Sequence, residues 1–386
     1  MAIVFFGLLP TGAAAEPSAS PSLGVFPARG PVTVLDSAVD SQGRVLVLGQ
    51  NGEGGFLVRF GADGEPDSSF GVAGAVSLGP ATTIAVQSDD KILVGSSLVR
   101  ESRRRPDSDL LIRRILVDGE PDPSFGEDGN VRIDGAFEET AERIFAQPDG
   151  HIVLVATVGC PRWYCGYTAT TPEVLRFGPE GRLIHTLEVH GHDEAFTFSS
   201  AVMSASGAVT LLGGWRQIGV GIVLRVRPDG RWDRRFSGRK QIRTIQIRFG
   251  EESQILPNRK FVQLERLSPE LSGFGERGAP DRSFGNNGVA GCQDSGHGFV
   301  EAASDTGDRI LALADGGPCG LVKFTSAGQP DPMFGADGVA DIYGAGLPRP
   351  GSLAVRDGYG VALTGWDESV GGVWLAHLDG QGRLVG

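Results

Sequence analysis

The stretch DGEPDSSFGVAG, Asp63 to Gly74, returns as DGEPDPSFGEDG from Asp118 to Gly129. Further copies read DGRWDRRFSG from Asp229, RGAPDRSFGNNG from Arg277 and AGQPDPMFGADG from Ala327. A unit copied in this way cannot bury its own apolar face and must pack on its neighbours. Before each copy lies a hairpin pattern. IAVQSDDKILVGS from Ile84, IFAQPDGHIVLVA from Ile144 and LAVRDGYGVALTG from Leu353 place a polar turn between runs rich in Val, Ile and Leu, which is hairpin chemistry. A third apolar strand, such as FLVRF (Phe56 to Phe60) or LLIRRI (Leu110 to Ile115), enters the motif. A fourth, such as NVRID from Asn130, leaves it.

Counting by the end of the second strand places units near Gly49, Gly95, Ala156, Gly213, Leu264, Leu313 and Gly365. Steps of roughly 46 to 61 residues suit a four-stranded propeller blade and are long for a solenoid of leucine-rich or hexapeptide type. The third unit has lost its motif, reading GRLIHTLEVHGHDEAF from Gly181, and the fifth has a weak hairpin, ILPNRKFVQLE from Ile255. The chain stops at HLDGQGRLVG, where a PSFG-like segment should follow, and PSLGVFPARGPVTV near the N-terminus resembles that missing piece. A ring closed in this way leaves no open sheet edge, whereas a solenoid needs polar caps. The sequence therefore predicts an all-β, seven-bladed β-propeller of four-stranded antiparallel blades, its last blade closed by the N-terminal strand.

The hairpin followed by DGxxDPSFGxxG resembles the delta-60 repeat family of exported bacterial β-propellers. The resemblance covers nearly the whole chain after the first twenty-odd residues. It implies a fold and an extracellular setting and assigns no reaction, because one fold hosts many functions.

The rest of the sequence agrees with export. MAIVFFGLLPTGAAA carries an apolar run and small residues before Ala15, the pattern of a signal peptide lacking its charged n-region. Residues 1–15 are read as that signal and 16–386 as one β-propeller domain. No later run reaches the ~20 apolar residues of a membrane span. A net charge of −12 argues against nucleic acid as partner. Four cysteines suit an oxidising compartment and permit three pairings. Local spacing favours Cys160 with Cys165 and Cys292 with Cys319 as structural bridges rather than zinc ligands.

Within the motif, Phe70, Phe125, Phe236, Phe284 and Phe334 are expected to fill gaps between blades. Gly71, Gly126, Gly285 and Gly335 follow four of them, where unusual backbone geometry is anticipated. Asp63, Asp118 and Asp229 suit tight turns and lack the ligand run of a calcium loop.

The loops joining second to third strands and one blade to the next share one rim, the uniform motif turns lie on the other, and function is expected on the first, where loops vary. Trp163, Tyr164 and Tyr167 sit in CPRWYCGY, Trp215 and Arg216 in GGWRQ, and Trp366 and Asp367 in GWDES. Aromatics beside carboxylates and an arginine suit sugar stacking or peptide anchoring; the alternative is that each only plugs the channel. HGHDEAF supplies His190, His192, Asp193 and Glu194, with His-x-His on one strand face as a usable ligand pair. No nucleophile elbow, P-loop or HExxH occurs. The reading is a non-catalytic, monomeric, extracellular binding scaffold for a glycan, peptide or protein surface, with no cofactor. The alternative is a metal-assisted, lactonase-like hydrolase that holds a divalent ion at the channel mouth.

Overall fold

Every apolar run flanking a polar turn forms a strand, and those runs are continuous rather than alternating because they are buried on both faces. Val45 to Leu48 and Ile152 to Ala156 are almost wholly inaccessible. The computed structural model describes residues 23–28, 30–100, 107–134, 138–159, 170–188, 196–215, 220–237, 243–245, 253–255, 261–264, 268–275, 279–292, 296–305, 308–356 and 360–385. The proposed signal segment, Cys160 and Cys165 lie outside them.

Seven antiparallel sheets make the ring. A closing strand, β1 (Gly24–Pro27), precedes the first blade, β2 (Thr33–Val39), β3 (Val45–Asn51), β4 (Gly54–Phe60) and β5 (Ala75–Gly79). The second blade is β6 (Thr83–Val86), β7 (Ile92–Arg100), β8 (Asp107–Ile115) and β9 (Asn130–Ile133). The third is β10 (Glu139–Ala146), β11 (Ile152–Gly159), β12 (Thr170–Phe177) and β13 (Leu183–Glu188). The fourth is β14 (Phe196–Met203), β15 (Val209–Trp215), β16 (Val220–Val226) and β17 (Arg243–Ile245). The fifth is β18 (Ser253–Ile255), β19 (Phe261–Leu264), β20 (Glu270–Phe274) and β21 (Val289–Gly291). The sixth is β22 (Phe299–Ser304), β23 (Ile310–Ala314), β24 (Leu321–Phe324) and β25 (Val339–Ala340). The seventh contributes β26 (Ser352–Arg356), β27 (Gly360–Asp367), β28 (Gly372–Leu378) and the short β29 (Leu384–Val385).

Closure follows the expectation. β1 pairs antiparallel with β28, Gly24 opposite Leu375 and Pro27 opposite Gly372. β29 takes the remaining end of the same edge, opposite His377 and Leu378. The core lies between blades. Leu46, Leu48, Leu57 and Phe70 of the first blade pack with Ile84, Ile92 and Val94 of the second. Across the closure, Val45, Val47 and Phe60 pack with Ala362, Val373 and Leu375.

The motif staples each blade to the next. Arg59, at the end of the third strand, donates from Nε to Asp67 at 2.8 Å. Its guanidinium lies 4.4 Å over the Phe70 ring, and Nη1 donates to the Val117 carbonyl of the following blade. Arg114 repeats this with Asp122 at 2.8 Å, Phe125 at 4.5 Å and the Pro179 carbonyl. The phenylalanines Phe70, Phe125, Phe284 and Phe334 are buried as expected. Each following glycine donates its amide to the next turn: Gly71 to Asp118 at 2.7 Å, Gly126 to Glu180 at 3.0 Å, Gly285 to Ala327 at 2.7 Å and Gly335 to Gln381 at 2.7 Å. Only glycine fits there. Gly126 has φ 56°, and an added Cβ would lie 2.0 Å from the Asn130 carbonyl oxygen.

These aspartates are electrostatically committed. Burial pushes the Asp122 carboxyl up, but the Ser124 hydroxyl and amide, Arg114 and Lys91 outweigh it and hold the group down at about 2. A depressed folded value stabilises the native state above the ordinary 3.8 and that contribution is lost as pH falls through about 2. Acid unfolding of the wild type and Asp122→Asn should therefore converge below that pH, while at pH 7 the variant is less stable; parallel curves would refute the assignment. Removing one partner of the buried pair, as in Arg114→Met, should cost about 3 kcal/mol or more in denaturant unfolding. Arg227→Met, at the exposed Arg227–Asp229 pair, should cost less than about 1 kcal/mol.

Candidate functional site at the channel mouth

The first strand of each blade lines the central channel, and four of these strands are kinked alike. β-Bulges fall between Val34 and Asp36, Ala141 and Arg143, Phe198 and Ser200, and Phe299 and Glu301. An extra residue in one strand bends it and re-aims the side chains beside it. The residues after the bulges, Asp36, Arg143, Ser200 and Glu301, all line one cavity of about 420 Å³, with Ser199, Arg349 and Ser352. The bulges thus collect charged and hydroxyl groups from distant blades at one place.

Asp36 organises the site. Its Oδ2 accepts from Thr83 Oγ1 at 3.0 Å, from the Ile84 amide at 3.0 Å and from Arg143 Nη1 at 3.1 Å. Its Oδ1 accepts from the Ser37 amide at 3.0 Å, and the Ser37 and Ser352 hydroxyls meet at 2.7 Å across the closure. One carboxylate therefore ties the first, second and third blades together. Arg143 is held by this contact on one nitrogen while 42% of its side chain remains accessible, leaving donors for a ligand. Across the cavity Arg349 is 68% accessible and 3.9 Å from Asp315. Glu142, the bulged residue beside Arg143, accepts from Thr157 Oγ1 at 2.7 Å. Burial pushes its carboxyl up, against the opposing pull of Thr157 and Arg143.

The arrangement can recognise charge and hydroxyl groups. Among the described residues no histidine or cysteine lines the cavity.

The residues expected to act are distributed differently. Trp163, Tyr164, Tyr167, Arg216, His190, His192, Asp193 and Glu194 lie outside the described residues. Trp215 ends β15, its backbone opposite Phe196 and Val220. Trp366 and Asp367, expected in a loop, extend β27 opposite Val373 and Gly372, as the strand preference of an aromatic residue favours. Trp366 packs into the contact between the seventh and first blades, and its buried Nε1 has no protein partner. Asp367 caps a turn, accepting from the Ser369 amide at 2.7 Å; the Ser369 hydroxyl and amide hold its carboxyl below the usual range. Cys292 and Cys319 form a disulfide joining the exit of the fifth blade to the β23–β24 turn. Asp36, Arg143 and Glu301 were missed by the sequence reading, since neither repeat nor motif marks them.

The DUF5122 beta-propeller family, a domain of unknown function, matches residues 87–125. That segment spans one repeat, from the second blade's hairpin turn to Phe125. No curated protein matches the chain. Among solved structures, prolyl oligopeptidase B from Galerina marginata is similar with a TM-score of 0.51 and 13% identity, covering 90% of this chain and 49% of that one. Puromycin hydrolase gives 0.50 and 13%, covering 92% and 53%. Virginiamycin B lyase from Staphylococcus aureus gives 0.45 and 12%, covering 79% and 83%. The chain spans about half the length of the first two, and at these identities the likeness is one of fold.

Glu142 offers a check on the channel's electrostatics. A carboxyl with a raised folded value stabilises below the ordinary 4.5 and loses that contribution as pH rises through the folded value. Glu142→Gln should therefore be at least as stable as wild type at pH 7, the difference vanishing below pH 4.5. A variant clearly less stable at pH 7 would show that the carboxylate charge is needed there.

Proposed function

We propose that the chain is an extracellular, non-catalytic binding propeller of delta-60 repeat type, which takes a polar ligand bearing an acidic group at the channel mouth. The observation that carries this reading is Arg143, oriented by Asp36 and still accessible beside the serine hydroxyls. A guanidinium positioned by a carboxylate presents its remaining donors in a fixed plane, which suits a carboxylate or similar oxyanion. A sugar acid or a peptide terminus has that chemistry. The Cys292–Cys319 disulfide supports an oxidising compartment. Among the described residues no helix is long and apolar enough to cross a membrane. Pairing of β1 with β28 leaves that sheet edge covered, which supports a monomer.

Screening glycan and peptide arrays with the purified protein, followed by titration of the best hit, tests the reading. Arg143→Ala should weaken that ligand about tenfold or more while the melting curve stays cooperative. Unchanged affinity would remove the channel mouth as the site. Metal content is measured in parallel with His192→Ala and Glu194→Ala. Stoichiometric metal that both variants lose would overturn the binding reading in favour of the metal-assisted hydrolase.

A further inference from the structure

The fourth blade carries the motif in altered form, at a place where its neighbour has lost it. Aligned with Asp63-Gly-Glu65-Pro66-Asp67 and Asp118-Gly-Glu120-Pro121-Asp122, it reads Asp229-Gly-Arg231-Trp232-Asp233. A glutamate has become arginine and a proline tryptophan, and the next two positions are Arg234 and Arg235. The fold does not need these changes. In every copy the residue two beyond the motif aspartate caps it through the backbone amide: Ser69 at 3.1 Å, Ser124 at 3.0 Å, Ser283 at 3.0 Å, Met333 at 3.1 Å and Arg235 at 3.1 Å. Arg225 supplies the stapling cation, 5.6 Å over Phe236. The side chains of Arg234 and Arg235 are therefore free of the scaffold.

The space beside them has a structural origin. At three other turns the preceding blade's phenylalanine lies on the turn glycine: Phe125 on Gly181, Phe284 on Gly328 and Phe334 on Gly382. The third blade turns from β12 to β13 through Gly178–Arg182 without a motif phenylalanine. At Gly230 of the fourth blade the nearest neighbours are instead the side chains of His185 and Arg176. A groove of about 760 Å³ opens at this junction, lined by Leu187, Arg227, Arg231, Trp232, Asp233, Arg234 and Arg235; Asp233, its one carboxylate among the described residues, faces the stapling Arg225 at 3.8 Å. Arg227 is neutralised by Asp229 at 2.9 Å. Arg231, Arg234 and Arg235 are exposed, and among the described residues none has a carboxylate partner. They stand on a protein of net charge −12; the Arg231 position holds Glu65, Glu120, Arg182, Ala279, Gln329 and Arg383 in the other turns, and among the motif copies only the fourth blade joins an arginine there to arginines at both positions after the motif aspartate.

We propose that this groove binds an anionic polysaccharide, its sulfate or phosphate esters taken by Arg231, Arg234 and Arg235 and a sugar ring by Trp232 and Leu187. Arginine forks fit tetrahedral oxyanions bidentately, and an aromatic face beside them suits a sugar ring. The site lies on the opposite rim from the channel mouth and is independent of the binding reading given above.

Titration with a heparin-derived sulfated oligosaccharide and with a phosphodiester-linked glycan polymer tests the proposal and separates the two esters. At least one should bind with an affinity that falls as salt rises, since counterions are displaced. Arg231→Glu, which restores the residue of the first two blades, and the double variant Arg234→Ser/Arg235→Ser should each weaken it about tenfold or more. Arg282→Glu, at the matching position of the fifth blade, should leave it unchanged, and melting curves verify folding of all three. Absence of binding to both polymers, or binding that survives the groove substitutions, would overturn the proposal. So would tighter binding of a single-stranded DNA oligonucleotide than of either polysaccharide.

Discussion

A cation at the end of the third strand, stacked on the motif phenylalanine and paired with the motif aspartate, is the interaction on which the ring rests. Apolar packing between twisted sheets supplies attraction without direction, so it does not fix the angle at which one blade meets the next. The guanidinium of Arg114 supplies that direction, because Asp122, Phe125 and the Pro179 carbonyl of the neighbouring blade must all be met at once. A buried ion pair of this kind gives specificity more than raw stability. Variation among blades obeys the same logic. Lys323 stands over Phe334 at 5.5 Å in the sixth blade. In the fifth, Gly273 takes the cation's position and a Cβ there would lie 2.3 Å from the Phe284 ring, so the ring fills the space itself.

The sequence revealed the scaffold because each element is local. A hairpin turn, a glycine with positive φ and a phenylalanine at fixed spacing are visible within a dozen residues, and the closure by β1 followed from the two ends together. The stapling cation was equally visible, since Arg59, Arg114, Arg225 and Lys323 each stand eight residues before the motif aspartate. It lies outside the repeated turn, because the cation belongs to the strand before it.

The channel mouth was illegible for a different reason. Asp36 and Arg143 are separated by 107 residues, and their meeting depends on a one-residue bulge in each of two strands. Bulges have no dependable sequence signature, and a shift of one residue exchanges the faces of a strand. Trp366 shows the converse error. An aromatic beside a carboxylate reads as a binding loop, but ladder pairing to Val373 and packing across the closure place it within the scaffold.

The two candidate sites arise from opposite departures from the repeat. At the channel mouth the candidate site is built from inner strands that the motif does not specify. At the junction of the third and fourth blades, loss of one phenylalanine-bearing loop leaves the next turn packed on His185 and Arg176, and that turn gathers Arg231, Arg234 and Arg235. Erosion alone would leave an apolar gap or a collapsed turn. The fourth blade instead keeps Asp233 and Phe236, the two residues the staple requires, and carries arginine at the surface positions 231, 234 and 235. Retention of the staple beneath a cluster of surface arginines separates scaffold from surface within a single motif.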